Sequence, residues 1–142
     1  MPRRRPKGLR AKRWRPRRGI PVRRVRSVSA VTRVAIRKLE EDRLWPGAVV
    51  TALAECQRYL EQPGPVLPDP VMGCECCDPL VARDLLEDVL LWLPHGARTD
   101  LGGLVARLDA EFDRRTVPLS PHLVLASPWG ACGWWRRRLM EN

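Results

Sequence analysis

The feature that most constrains this chain is the separation of its charges. Residues 1–38 contain 16 Lys and Arg and no Asp or Glu, whereas residues 39–142 contain 10 Lys and Arg and 16 Asp and Glu. The two parts therefore carry formal charges of +16 and −6, which together give the net charge of +10. Dense like charge with few apolar side chains cannot offset the entropy lost on folding. We predict a disordered basic arm over residues 1–27 and a small folded domain over residues 28–142.

The size and composition of the chain limit the classes of protein to which it can belong. A length of 142 residues allows one domain of ordinary size with a tail, which argues against a multidomain enzyme. The longest apolar run, from Val89 to Leu93, is far shorter than the ~20 residues of a membrane-spanning helix. No apolar region follows the N-terminal Arg pairs, so secretion is not indicated. We therefore expect a cytoplasmic protein without a membrane partner.

Apolar periodicity and capping residues predict a mainly α-helical domain of three or four helices. Asp78 followed by Pro79 is typical of a helix start, because the Asp side chain caps free N–H groups and Pro lacks one. Thr99 or Asp100 offers a second start of the same kind, and prolines end the apolar stripes. The predicted helices lie near residues 28–44, 48–62, 79–93 and 100–115.

The first predicted helix is basic and amphipathic. Its apolar residues recur every three to four positions from Val22 to Leu39, although its many β-branched residues also suit a strand. The positions outside the apolar stripe include Arg23, Arg26, Arg33 and Arg37. Such a helix usually packs one face on a core, but it could also lie on nucleic acid or a membrane.

Two segments lack helical periodicity. Residues 63–73 contain four prolines, which exclude regular hydrogen-bonded structure and predict a stiff connector into a Pro/Cys-rich loop. Residues 117–142 form an irregular Trp- and Arg-rich segment, with at most a short strand at residues 123–125. No partner strand is predicted for it.

A cysteine cluster is the sharpest motif. Cys74 and Cys77 have the C-x2-C spacing that lets two thiolates reach one Zn²⁺, with Cys76 between them and His95 as a further candidate ligand. A structural zinc site needs four ligands, and the sequence contains no second pair of this spacing. Zinc is therefore one interpretation, and unliganded thiols or a redox-sensitive pair are the others. The odd total of five Cys argues against a fully paired disulfide framework.

The basic arm has the composition of a phosphate-binding segment. Each Arg that neutralises a phosphate releases a counterion, and an indole offers a stacking surface worth about 1–3 kcal/mol per base. The candidate residues are Arg13, Trp14, Arg15, Arg17, Arg18, Arg23, Arg24 and Arg26. Because Arg supplies 23 of the 26 basic residues, a high-GC coding bias and a solvated tail without a target form the competing interpretation.

The C-terminal segment adds a second candidate surface. Trp134, Trp135, Arg136 and Arg137 combine stacking rings with phosphate-binding groups. The chain has only one Phe and one Tyr, so these Trp residues could instead supply aromatic bulk to the core.

The sequence contains no set of residues typical of a catalytic site. It has no Gly-rich phosphate loop, nucleophile elbow or metalloprotease helix, and its carboxylates fall on polar helix faces. We expect a non-catalytic, nucleic-acid-associated binding protein whose acidic body could contact a protein partner, and we infer no small-molecule substrate. The alternative is a protein-interaction or regulatory adaptor with a metal-fixed or redox-sensitive Cys loop.

Overall fold

A computed structural model describes residues 25–68, 78–118 and 133–139. Residues 1–24 of the predicted basic arm, the Pro/Cys-rich loop with Cys74, Cys76 and Cys77, and the short strand predicted at residues 123–125 lie outside the described residues. None of the helices in the described ranges is long and apolar enough to cross a membrane.

The described part of the chain confirms a mainly helical fold with four α-helices. They are α1 (Ala30–Arg43), α2 (Ala48–Leu60), α3 (Pro79–Trp92) and α4 (His95–Arg114). The first segment is thus a helix and not a strand. Its start is fixed by Ser29, whose hydroxyl accepts a hydrogen bond from the backbone N–H of Thr32 at 3.1 Å.

Helix α3 begins where the sequence predicts. The Asp78 side chain accepts a hydrogen bond from the backbone N–H of Leu80 at 2.9 Å, and Pro79 occupies the first helical position. The helix ends at Trp92, just before Leu93 and Pro94.

Helix α4 starts five residues earlier than the predicted start at residue 100. Pro94 is the residue before its first turn, with backbone angles φ −62° and ψ 157° that lead directly into a helix. Thr99 does not cap the helix, since its hydroxyl donates to the carbonyl of His95 at 3.1 Å within it. Asp100 is also used elsewhere, because its carboxylate binds the start of α1.

The four helices enclose one main apolar core. Its least exposed members are contributed by α2, α3 and α4, with Val25, Val28 and Ile36 completing it from the side of α1. The largest fully buried side chains of this core are those of Val49, Leu86, Val89, Leu93, Leu101 and Val105. A smaller cluster of Leu67, Leu80, Phe112 and Trp135 joins the ends of α3 and α4 to the C-terminal segment.

The C-terminal segment is more regular than predicted. A short 3-10 helix spans Trp134–Arg137, and strand β1 (Val117–Pro118) pairs antiparallel with β2 (Arg138–Leu139). The sequence analysis did not predict this 3-10 helix or this pair of strands, while the strand predicted at residues 123–125 lies outside the described residues. Two residues per strand are too few to show the alternating pattern by which strands are predicted.

Candidate nucleic-acid interface

The outer face of α1 exposes several basic side chains. Thr32, Ile36 and Glu40 recur every four positions and are buried against the rest of the protein. The rest of α1 exposes the cations Arg33, Arg37 and Lys38, the carboxylates Glu41 and Asp42, and Val31, which is 79% exposed. Arg26 is exposed just before the helix. Helical spacing thus directs one stripe into the core and leaves the positive charge in solvent.

The start of α1 is held by a carboxylate of α4. Oδ2 of Asp100 accepts a hydrogen bond from the backbone N–H of Ser29 at 2.8 Å and another from the Thr32 hydroxyl at 2.7 Å. The Ser29 N–H and then the Thr32 hydroxyl lower the pKa of Asp100 from its ordinary value. A negative charge at this end also suits the dipole of α1.

The other end of α1 is held by Glu40, which is 8% exposed. Its two carboxylate oxygens accept hydrogen bonds from the backbone N–H groups of Gly47 at 3.0 Å and Val49 at 2.9 Å. Burial raises the pKa of Glu40, against the opposing effect of these two hydrogen bonds. Gly47 has φ 82°, a left-handed conformation that favours glycine, and it has no side chain with which to cap α2. Glu40 supplies that cap, so both ends of α1 are fixed to the body.

A groove runs along α1 beside the turn into α2. Its volume is about 460 Å³. Its lining is mostly apolar, with Arg33, Arg37 and Glu41 as exposed charged side chains. The full lining consists of Val25, Ala30, Arg33, Val34, Ile36, Arg37, Glu40, Glu41, Pro46, Gly47 and Val50. An apolar depression with cations at its edge is therefore part of the basic face.

The cations of this face are not neutralised within the described part of the protein. Arg33 donates from Nη1 to the carbonyl of Val28 at 3.0 Å, which orients its guanidinium without cancelling its charge. Among the residues that the structure describes, none of Arg26, Arg33, Arg37 and Lys38 forms an ion pair.

Several arginines of the acidic body, in contrast, have internal partners. Arg83 donates from Nε and Nη2 to the two carboxylate oxygens of Asp109 at 2.8 and 2.9 Å, and from Nη1 to Glu87 at 3.0 Å. Arg115 donates to the carbonyls of Leu60, Gln62 and Gly64, where it binds the free end of α2. These guanidinium groups hold the fold together and are poorly available to a ligand.

Trp135, which the sequence offers as a stacking residue, lies in the smaller core cluster and is 5% exposed. The guanidinium carbon of Arg83 lies 3.9 Å from the centroid of its ring, and its indole N–H donates to Asp84 at 2.8 Å. Arg136 donates from Nε to the same carboxylate at 3.0 Å. Contact of Trp135 and Arg136 with nucleic acid stays a prediction. Such contact would require both side chains to break their hydrogen bonds with Asp84 of α3.

Trp134 and Arg137 lie in the same 3-10 helix. The Trp134 ring is half-buried and packs at 5.9 Å from the ring of Phe112 and at 6.2 Å from the ring of Trp135. The position of Trp135 thus agrees with the interpretation that these Trp residues supply aromatic bulk to the core.

The candidate arm residues from Arg13 to Arg24 lie outside the described residues, and Arg26 is exposed just before α1.

The metal hypothesis concerns residues that are mostly outside the described ranges. Cys74, Cys76 and Cys77 belong to residues 69–77, and His95 is exposed at the first position of α4. The described residues contain no group of three His, Cys, Asp or Glu side chains placed to hold a metal ion. Cys56 is buried, and this burial raises the pKa of its thiol to about 12, so it stays protonated at neutral pH.

Three cations of the candidate interface, Arg33, Arg37 and Lys38, are not among the nucleic-acid-binding residues predicted from the sequence. The sequence feature that could have identified them is their position outside the apolar stripe of a basic amphipathic helix. The groove beside them could not be inferred, because it depends on how α1 meets α2. No protein-family model matches this chain, and no curated protein or solved structure matches it.

Proposed function

We propose that this protein binds nucleic acid without catalysing a reaction, and that its interface comprises the basic arm and the outer face of α1. The observation that carries the proposal is the set of exposed cations Arg26, Arg33, Arg37 and Lys38, which have no carboxylate partner among the described residues. Phosphate groups are the partners that such a surface favours, because each contact releases a counterion from the nucleic acid.

The sequence before α1 extends the same charge. Residues 1–24 hold 12 Lys and Arg and no acidic residue, and they lead directly into Val25 at the edge of the groove. The arm residues Arg13, Trp14, Arg15, Arg17, Arg18, Arg23 and Arg24 are proposed to continue the phosphate contacts of α1. Residues 39–142 carry −6 and repel a polyanion, which favours binding on the side of α1.

The adaptor hypothesis is a second proposal that concerns other residues. It depends on Cys74, Cys76 and Cys77, which lie outside the described ranges, and on the acidic surface of the body. It makes no use of the cations on α1. Loss of nucleic-acid binding on removal of those cations would support the nucleic-acid proposal, and the adaptor proposal does not predict it.

Two triple variants of equal charge test the proposed function. Arg33→Gln, Arg37→Gln and Lys38→Gln neutralise the face of α1, whereas Arg58→Gln, Arg107→Gln and Arg114→Gln neutralise exposed cations on α2 and α4. Fluorescence anisotropy with a labelled 20-base-pair DNA duplex at about 50 mM salt measures binding. We expect the first variant to bind at least tenfold more weakly than the full-length wild type, and the second to bind nearly as well. Equal affinity of the two variants, or no binding by the wild type, would refute the proposal.

A further inference from the structure

The groove beside α1 is lined mostly by apolar side chains, which do not bind phosphate groups. Val25, Val34, Ile36 and Val50 contribute apolar side chains to it, and Pro46 lies at the turn into α2. Val34 is 42% exposed, so part of this apolar surface is in contact with solvent. This apolar surface lies directly beside exposed cations, so a ligand bound here would contact both kinds of side chain.

The cations Arg33 and Arg37 border the same groove. Their side chains are four positions apart, so they follow each other along one face of α1 at about 6 Å of axial rise. Glu41 adds one carboxylate at the rim, while the Glu40 carboxylate is occupied by the N–H groups of Gly47 and Val49. The site therefore joins an apolar depression to a net positive edge.

A ligand that fits this site presents flat apolar groups linked by negative charges. Single-stranded nucleic acid has this chemistry, because its unpaired bases expose their faces next to the phosphates. A duplex buries the same faces in its stack and offers mainly phosphates to the outside. A symmetric contact with a second copy of this chain is disfavoured at the site, because it would bring two basic faces together.

We infer that the groove accepts bases of single-stranded nucleic acid while Arg33 and Arg37 hold the adjoining phosphates. The inference rests on the proposed function and adds the class of nucleic acid that the protein prefers. The groove offers aliphatic side chains to the bases, with Ala30, Val34 and Pro46 as the exposed apolar members of its wall.

The test compares three probes of 15 nucleotides with the full chain: oligothymidylate, an abasic strand with the same number of phosphates, and a DNA duplex. Oligouridylate serves as the RNA counterpart of the first probe. The matched variants are Val34→Gln, which changes the groove, and Val31→Gln, which changes a residue of α1 that does not line it. Thermal unfolding followed by circular dichroism checks that both variants are folded.

We expect oligothymidylate to bind about tenfold more tightly than the abasic strand, and Val34→Gln to lose about fivefold of that affinity, as removal of a partly buried valine side chain would. Val31→Gln is expected to bind like the wild type. If oligouridylate also binds more tightly than the abasic strand and loses affinity with Val34→Gln, the groove accepts single-stranded RNA as well as DNA. If oligouridylate alone behaves in this way, the groove is specific for RNA.

Other outcomes overturn the inference and are distinct from failure of the proposed function. If the abasic strand binds as tightly as oligothymidylate, if the duplex binds more tightly than oligothymidylate, or if the two valine variants behave alike, the protein binds phosphates and the groove takes no base. If no probe binds at all, both proposals fail together. If only an amphipathic Leu/Glu helical peptide binds in a Val34-dependent way, the groove takes a protein partner instead.

Discussion

The carboxylate of Glu40 accepts a hydrogen bond from the backbone N–H of Val49 at 2.9 Å, so a residue of α1 caps the first turn of α2. Its second oxygen accepts from the N–H of Gly47 at 3.0 Å. This pair of hydrogen bonds fixes the turn that forms one side of the groove, and it orients the basic face of α1 relative to α2. The interface proposed for nucleic acid therefore depends on a buried acidic residue, which lines the groove and whose carboxylate is occupied by the turn into α2.

Replacement of Glu40 by Gln is expected to destabilise the protein by about 1–3 kcal/mol, because an amide can accept at only one of the two positions and leaves a buried N–H unpaired. Chemical denaturation at pH 7 measures the change. Glu41→Gln is the matched control, since Glu41 is the exposed neighbour of Glu40 on the same helix. Equal stability of the two variants would show that the cap does not hold α2.

Asp100→Ala is expected to destabilise the start of α1 in a pH-dependent way. Because the pKa of Asp100 is lowered in the folded state, its contribution is fully present above its ordinary value of 3.8 and is lost as the pH falls through the folded pKa. Thermal unfolding of wild type and variant from pH 7 to pH 2.5 measures the difference, which should shrink at the acid end. The exposed Asp42→Ala serves as control, and a wild-type advantage that grows below pH 3.8 would contradict this role of Asp100.

Trp135 is expected to be a structural residue. Trp135→Ala should cost about 3–5 kcal/mol through the cavity left in the smaller core cluster, whereas Trp135→Phe should cost less because it keeps most of the ring and loses the hydrogen bond to Asp84. Urea denaturation measures both changes. If Trp135→Ala leaves stability intact but weakens nucleic-acid binding, the sequence-based interpretation of Trp135 as a stacking residue would be supported instead.

Two glycines provide an opposed pair of substitutions. A Cβ at Gly133 would overlap the ring of Trp135, so Gly133→Ala should destabilise the protein by about 1–3 kcal/mol. A Cβ at Gly103 meets nothing within 4 Å in the interior of α4, so Gly103→Ala should stabilise it by roughly 0.5–1 kcal/mol. Melting temperatures of the two variants should move in opposite directions. A melting temperature of Gly133→Ala equal to or above that of the wild type would contradict the close contact between Gly133 and the Trp135 ring.

The sequence predicts the helices well and the contacts between them poorly. The start of α3 follows from Asp78 and Pro79 because a cap is a local interaction between neighbouring residues. The start of α4 is predicted too late because Asp100, a good capping residue, is used by α1 across 71 positions of sequence. Nothing in the local pattern distinguishes these two uses of an Asp.

The candidate site shows the same division between local and distant information. The basic face of α1 follows from residue spacing, since Arg33 and Arg37 fall outside the apolar stripe. Arg83 and Trp135 come together only through the packing of α3 against the C-terminal segment, so a surface role for Trp135 was as compatible with its sequence as a core role. The groove likewise exists only once Glu40 has joined α1 to α2.

The salt dependence of binding tests the central claim most directly. For the duplex probe, the slope of log affinity against log salt changes by roughly 0.9 for each phosphate that the protein no longer neutralises, so the Arg33→Gln, Arg37→Gln, Lys38→Gln variant should show a slope shallower by up to about 3 than the wild type. The control variant with Arg58, Arg107 and Arg114 replaced by Gln should keep the wild-type slope. Equal slopes for the α1 variant and the wild type, or wild-type binding that does not respond to salt, would contradict a phosphate-binding role for α1.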